Sequence, residues 1–136
     1  ADYMLSGTKQ FDYILADGFD PDARAGALDT LPFYQASRAR LTDQGLFCAN
    51  LLGRNRSYQG SVERIGSAFE QRLAIFPSCD SGNTIAFATG SNPVDVSLEE
   101  LRERATSLKK NCGLDLLPTI TRLQLNSPLP EGRLRF

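Results

Sequence analysis

Two aspartates three residues apart stand where the chain turns from apolar to polar. In residues 14–21, ILADGFDP, an apolar run stops at Asp17, and Asp20 follows just before Pro21. Paired carboxylates at the mouth of a buried strand suit two tasks: holding a cation, and accepting a proton from a bound nucleophile. The chain contains no histidine. That removes the usual general base, every histidine-dependent triad and most transition-metal sites, so any acid–base chemistry rests on carboxylates and no metal is called for. A single loop aspartate after a strand is commonly an Asx-turn or a cap. It is the pair, with what surrounds it, that carries the argument.

Composition narrows the options further. The chain has 136 residues, enough for one moderate core, of which 41% are apolar and 23% charged, the balance of a soluble globular domain. A formal charge of −1 gives no general attraction to nucleic acid or anionic membranes, so a small-molecule partner is expected. No apolar run approaches the roughly 18 residues of a membrane span, and no signal-peptide pattern opens the chain. Cys48, Cys79 and Cys112 are odd in number and widely spaced, without a CxxC pair. That favours reduced thiols in a cytoplasmic protein over a disulfide framework or zinc site. Cys48, inside an apolar stretch, reads as a small core residue. The arginines of GRNRS (53–57) read as a solvated loop, and RERATSLKK (102–110) as an exposed helix face.

The elements that must position the acids follow from periodicity. FDYILA (11–16) is short, apolar and aromatic, a buried strand. A loop follows, with Asp29 or Thr30 placed to cap a helix from about Leu31 to Leu41, on which Phe33, Tyr34, Ser37 and Leu41 share a face. TDQG (42–45) is expected to break that helix. LFCANLL (46–52) is a second continuous apolar run, as in a strand covered on both faces. Asn55 or Ser57 is placed to cap the next helix, with Tyr58, Val62, Ile65 and Phe69 as its apolar stripe. LAIFPS and TIAFAT, joined by CDSGN, read as an antiparallel hairpin. SLEE (97–100) is a capping-box pattern that opens a helix running to about Asn111 and stopped by Gly113. Beyond Leu114 one short helix and a fraying end are expected. The order strand–helix–strand–helix–hairpin–helix is an α/β pattern in a single partial domain, 1–136. The glycine-rich turn that normally opens a doubly wound sheet is not in it.

The acid-bearing stretch resembles the polyamine aminopropyltransferases, the spermidine and spermine synthase family. Asp17, Asp20, Pro21, Ala25 and Leu28 match the family's D-x-x-D-P loop with its downstream A-x-x-L. Phe33-Tyr34 fall where the family has an aromatic pair opening a helix, and the register continues through Gly45 without a gap. Asn50 then stands where the family usually carries a substrate-facing glutamine. Residues 1–90 carry the resemblance, and 91–136 are the C-terminal helices. Gly18-Phe19 replace two small hydroxyl residues, and Ala23-Arg24 replace a Gly-Pro pair.

The resemblance implies the C-terminal half of a Rossmann-like, methyltransferase-type doubly wound sheet, with parallel strands followed by an antiparallel hairpin and helices on both faces. It implies transfer of an aminopropyl group from decarboxylated S-adenosylmethionine, a co-substrate, to a polyamine. Asp17 would be the catalytic base, Asp20 and Asn50 would bind the amine, and Ala25 and Leu28 would belong to the loop over the nucleoside. It further implies that the chain is part of a longer protein, inactive by itself and self-associating through 11–16. The alternatives are an S-adenosylmethionine-dependent methyltransferase, a non-catalytic relative binding polyamine or nucleoside, and a purely structural half-domain.

Overall fold

The computed structural model describes residues 1–19, 25–52, 58–76 and 82–136. They form two compact units, Ala1–Pro93 with Phe136, and Val94–Arg135.

In the first unit, helix α1 (Asp2–Ser6) leads into strand β1 (Phe11–Ala16); FDYILA forms the expected strand, but it is not a buried one, since of its residues Ile14 alone is buried. A 3₁₀ turn at Gly26–Asp29 precedes helix α2 (Leu31–Ala39). Thr30 supplies its cap by accepting from the Phe33 amide, while the carboxylate of Asp29 is engaged elsewhere. Strand β2 spans Leu41–Leu52, helix α3 Tyr58–Ala68, and strands β3 (Leu73–Phe76) and β4 (Asn83–Thr89) form the hairpin. The order across the sheet is β1-β2-β4-β3, with β1 and β2 parallel and the other pairs antiparallel. The result is a mixed parallel and antiparallel α/β sheet flanked by helices.

Two expectations need correcting here: Leu41 opens β2 rather than sharing the α2 face, and TDQG is not a break but part of that strand. Phe11 pairs with Leu41 and Tyr13 with Leu46, so Asp12 alone faces Thr42–Gly45 in an irregular bulge. The segment is tied in place there: Thr42 Oγ1 donates to Asp12 Oδ1 at 2.9 Å and the Asn92 amide to the Asp43 carbonyl at 3.1 Å. Gly45 permits the fold-back, because a Cβ there would lie 2.9 Å from both Leu41 Cβ and the Thr42 carbonyl oxygen. The suggested caps Asn55 and Ser57, and most of the hairpin connector, lie outside the described residues.

The core lies on the sheet face that carries Phe47, Ala49 and Leu51. Phe47, fully buried, stacks on Phe69 at 5.2 Å and meets Phe33 and Tyr34 edge-on at 6.5 and 5.8 Å. Ala88 and Ala86, paired with Phe47 and Ala49, keep that face shallow enough for the helices to approach. Ile65 and Phe69 of the expected α3 stripe are fully buried, with Tyr58 and Val62 packed at its margin. On the opposite face of β1, Tyr13 and Leu15 are 71% and 76% exposed.

The second unit holds strand β5 (Asp95–Ser97), helix α4 (Leu98–Cys112), helix α5 (Leu117–Asn126) and strand β6 (Arg133–Arg135). Ser97 caps α4 by accepting from the Glu100 amide at 3.1 Å, and Gly113 ends it at φ +78°. The reciprocal half of the capping box is absent among the described residues; the Glu100 carboxylate accepts from Arg104 instead, at 2.6 Å. The expected fraying of the C-terminal end is also corrected. Arg133–Arg135 pair antiparallel with β5, burying Leu134 and Val96. No helix among the described residues is long and apolar enough to cross a membrane.

Candidate functional site

The parallel register of β1 and β2 brings the first two site residues together. Ala16 pairs with Ala49, so the next residue of each strand, Asp17 and Asn50, emerges at the same carboxyl-terminal edge. Asn50 Nδ2 donates to Asp17 Oδ1 at 3.0 Å. The other end of the Asn50 amide is different: its Oδ1 is buried and accepts no hydrogen bond among the described residues. A buried acceptor without a donor costs on the order of 1–3 kcal/mol, so this oxygen suits a ligand N–H.

Cys48 lies two residues before Asn50 on the same strand face. Burial pushes its thiol above the ordinary range, and the negative charge of Asp17 adds to that. It therefore stays protonated near neutrality and is a poor nucleophile. Across the sheet, Ile85 pairs with Asn50 and Phe87 with Cys48, and the Phe87 ring meets Phe76 edge-on at 4.9 Å. A carboxylate and an unfilled amide oxygen thus border an apolar strip. Such a surface suits a ligand with cationic nitrogens separated by methylene groups.

The stretch after the acids returns to the same place. Ala25 and Leu28 line a small cavity of about 40 Å³ together with Ala16, Gly18, Asn50 and Tyr58. Leu28 packs directly on the backbone at Gly18: its Cδ1 lies 2.9 Å from where a Cβ would stand. Asp20 lies outside the described residues.

Asp29, at the end of the 3₁₀ turn, has a carboxylate that ties three residues of α2 and α3 together. Tyr34 Oη donates to Oδ1 at 2.9 Å and Ser61 Oγ to Oδ2 at 2.8 Å. Arg64 donates twice, from Nη2 to Oδ2 at 2.6 Å and from Nε to Oδ1 at 3.3 Å. Burial raises the Tyr34 hydroxyl far above its usual range, reinforced by the Asp29 charge and hydrogen bond. The Asp29 bond is the main cause of a raised Arg64 guanidinium pKa.

Of the residues singled out from sequence, then, Asp17 and Asn50 are in contact, while Ala25 and Leu28 share a cavity with Asn50. By sequence Asp29 is a possible cap, and nothing local marks Ser61 or Arg64 as its partners. Partners 32 and 35 residues away leave no local pattern.

No protein-family profile matches the chain. Individual relatives do. The chain is 32% identical over 128 residues to the polyamine aminopropyltransferases of Neisseria meningitidis serogroup A and serogroup B, covering 94% of this chain and 49% of each relative. The polyamine aminopropyltransferase of Chromobacterium violaceum is 31% identical over 134 residues, covering 98% and 51%. The chain therefore spans about half the length of the curated relatives it matches. Among solved structures, a crystal structure of spermidine synthase in complex with the transition-state analogue AdoDATO superposes with a TM-score of 0.56 at 27% identity, covering 68% of this chain and 34% of that one. The similarity is at family level, with moderate identity over much of the chain.

Proposed function

We propose that these residues belong to a polyamine aminopropyltransferase of the spermidine synthase type, a cytosolic enzyme acting on a free polyamine. The observation that carries the reading is the contact between Asp17 and Asn50 at the carboxyl edge of two parallel strands. The names of the similar proteins support the same reaction class.

The acceptor is an alkylamine with a pKa of about 10, like lysine, and so arrives as an ammonium ion. Asp17 holds that cation and takes its proton. The neutral nitrogen then attacks the propyl carbon attached to the sulfonium of decarboxylated S-adenosylmethionine. A carbon–nitrogen bond forms, and the carbon–sulfur bond breaks with its electron pair passing to sulfur, releasing methylthioadenosine. Asn50 offers its open Oδ1 to an N–H of the amine, and Asp20 holds a further cationic nitrogen. Ala25 and Leu28 form part of the wall toward the nucleoside. Alignment of the two reactants supplies much of the rate by removing their relative freedom.

The test is incubation of the full-length protein with decarboxylated S-adenosylmethionine and a panel of diamines and polyamines, read by mass spectrometry. Aminopropylated amine and methylthioadenosine in equal amounts are expected. Methyl transfer from S-adenosylmethionine would replace this reading with the methyltransferase one, and binding without turnover would leave a non-catalytic role.

A further inference from the structure

We propose that Asp29 is a positioning residue for the reaction inferred above, acting on Asp17 through Leu28 and Gly18. This rests on that functional reading. The argument begins with how the Gly26–Asp29 turn is held. Its other hydrogen bonds among the described residues are local, from the Leu28 amide to the Ala25 carbonyl and from Thr30 Oγ1 to the Ala27 carbonyl. Among the described residues only the Asp29 carboxylate reaches out of the segment, through bonds from Tyr34 on α2 and from Ser61 and Arg64 on α3.

Both oxygens are used, and the Asp29 side chain is 16% exposed. Bidentate Arg–carboxylate pairing fixes orientation as well as distance. Tyr34 and Ser61 are themselves almost fully buried in the helix layer over the sheet. The turn is therefore referenced to the core rather than to solvent. Its neighbouring residue Leu28 presses on the backbone of Gly18, the residue that follows Asp17. A wrong position for the turn becomes a wrong position for the Asp17 carboxylate. Displacing a reacting group by about 1 Å is enough to lose up to about 10²-fold in rate.

The test uses Asp29→Asn in the full-length protein, which keeps the size of the side chain and removes its charge. With active wild-type enzyme, kcat should fall about 10–100-fold. Amide exchange and NMR signals give a readout independent of turnover. The Leu28 amide should exchange at least about tenfold faster and the Gly18 signal should shift, with Ala86 and Ala88 in the sheet unchanged. If Asp29→Asn fails to fold, Arg64→Gln removes two of the bonds and should give smaller changes of the same sign.

A kcat within twofold of wild type, or unaltered Leu28 and Gly18 signals, would overturn the proposal. So would equal loss of protection at Ala86 and Ala88, which would make Asp29 a general stabiliser. A wild-type protein without aminopropyl transfer would instead refute the functional reading, and the exchange data would still decide whether Asp29 positions the turn.

Discussion

Asn50 donates one hydrogen bond to Asp17 at 3.0 Å, and among the described residues nothing donates to its own buried carbonyl oxygen. The pair is thus half complete, with Asp17 oriented and an acceptor held ready beside it. Asn50→Ala in the full-length protein should raise the amine KM by about 5–10-fold, the worth of roughly one hydrogen bond. Initial-rate kinetics with a saturating donor checks this. An unchanged amine KM would remove Asn50 from the binding site.

Asp17→Asn keeps size and hydrogen-bonding capacity but deletes both the charge and the proton acceptor. Turnover should fall about 10²–10⁴-fold, equivalent to roughly 3–5 kcal/mol of barrier, with circular dichroism unchanged. Asp20→Asn should raise the amine KM more than it lowers kcat, because its proposed part is ground-state binding. Wild-type activity should rise toward alkaline pH as more of the free amine becomes neutral. Near-normal turnover by Asp17→Asn with every amine tried would end the carboxylate-base mechanism.

Phe47 is the keystone of the first unit. It is fully buried and in ring contact with Phe33, Tyr34 and Phe69. Phe47→Ala should cost about 3–5 kcal/mol in urea unfolding. Phe87→Ala, on the less covered face, should cost clearly less. Equal losses would mean that the two faces are packed alike.

Acid should loosen the pairing of β5 with β6. Hydrogen bonding from Arg133, aided by its charge and that of Arg135, holds the Asp95 carboxyl below its ordinary range. The folded value lies under the unfolded one, so this contribution is present at pH above the usual aspartate value of about 3.9. It is lost as pH falls through the folded value. The group is solvent-exposed, so the effect should be modest and weakened by salt. Protection of the strand-pairing amides in β5 and β6 should decline on acidification, and Asp95→Asn should remove that decline. An identical pH profile in the variant would count against the ion pair.

Strand β1 pairs only with β2 among the described residues and carries exposed Tyr13 and Leu15 on its outer face. An open apolar edge is a template for pairing with another chain. The 136-residue chain is therefore expected to self-associate, and Tyr13→Lys with Leu15→Lys to suppress it. Sedimentation velocity across a concentration series checks this; a monodisperse monomer at high concentration would refute it.

Much of the architecture was legible locally. The apolar run of 11–16, the helical stripe through Ile65 and Phe69, the Ser97 cap and the Gly113 stop each act within a turn or two of chain, where periodicity and capping operate. Their order is enough to place Asp17 at the end of a strand. The strand character of polar TDQG is not legible locally, because its hydrogen bonds go to Asp12 and residues near 90 rather than to its neighbours.

Sequence alone determined which side chains were available: carboxylates without a histidine, and an asparagine in the strand that follows. Only the tertiary structure decided which of them meet. Asp17 touches Asn50 because two parallel strands share a register, a relation between segments 33 residues apart. Asp29 became an anchor rather than a cap because α2 and α3 pack side by side over Phe47, bringing Tyr34, Ser61 and Arg64 to one carboxylate. The Arg133–Arg135 strand likewise exists only through its pairing with β5. Local patterns record what a segment prefers by itself, whereas these contacts depend on the register and packing of elements that the chain brings together only on folding.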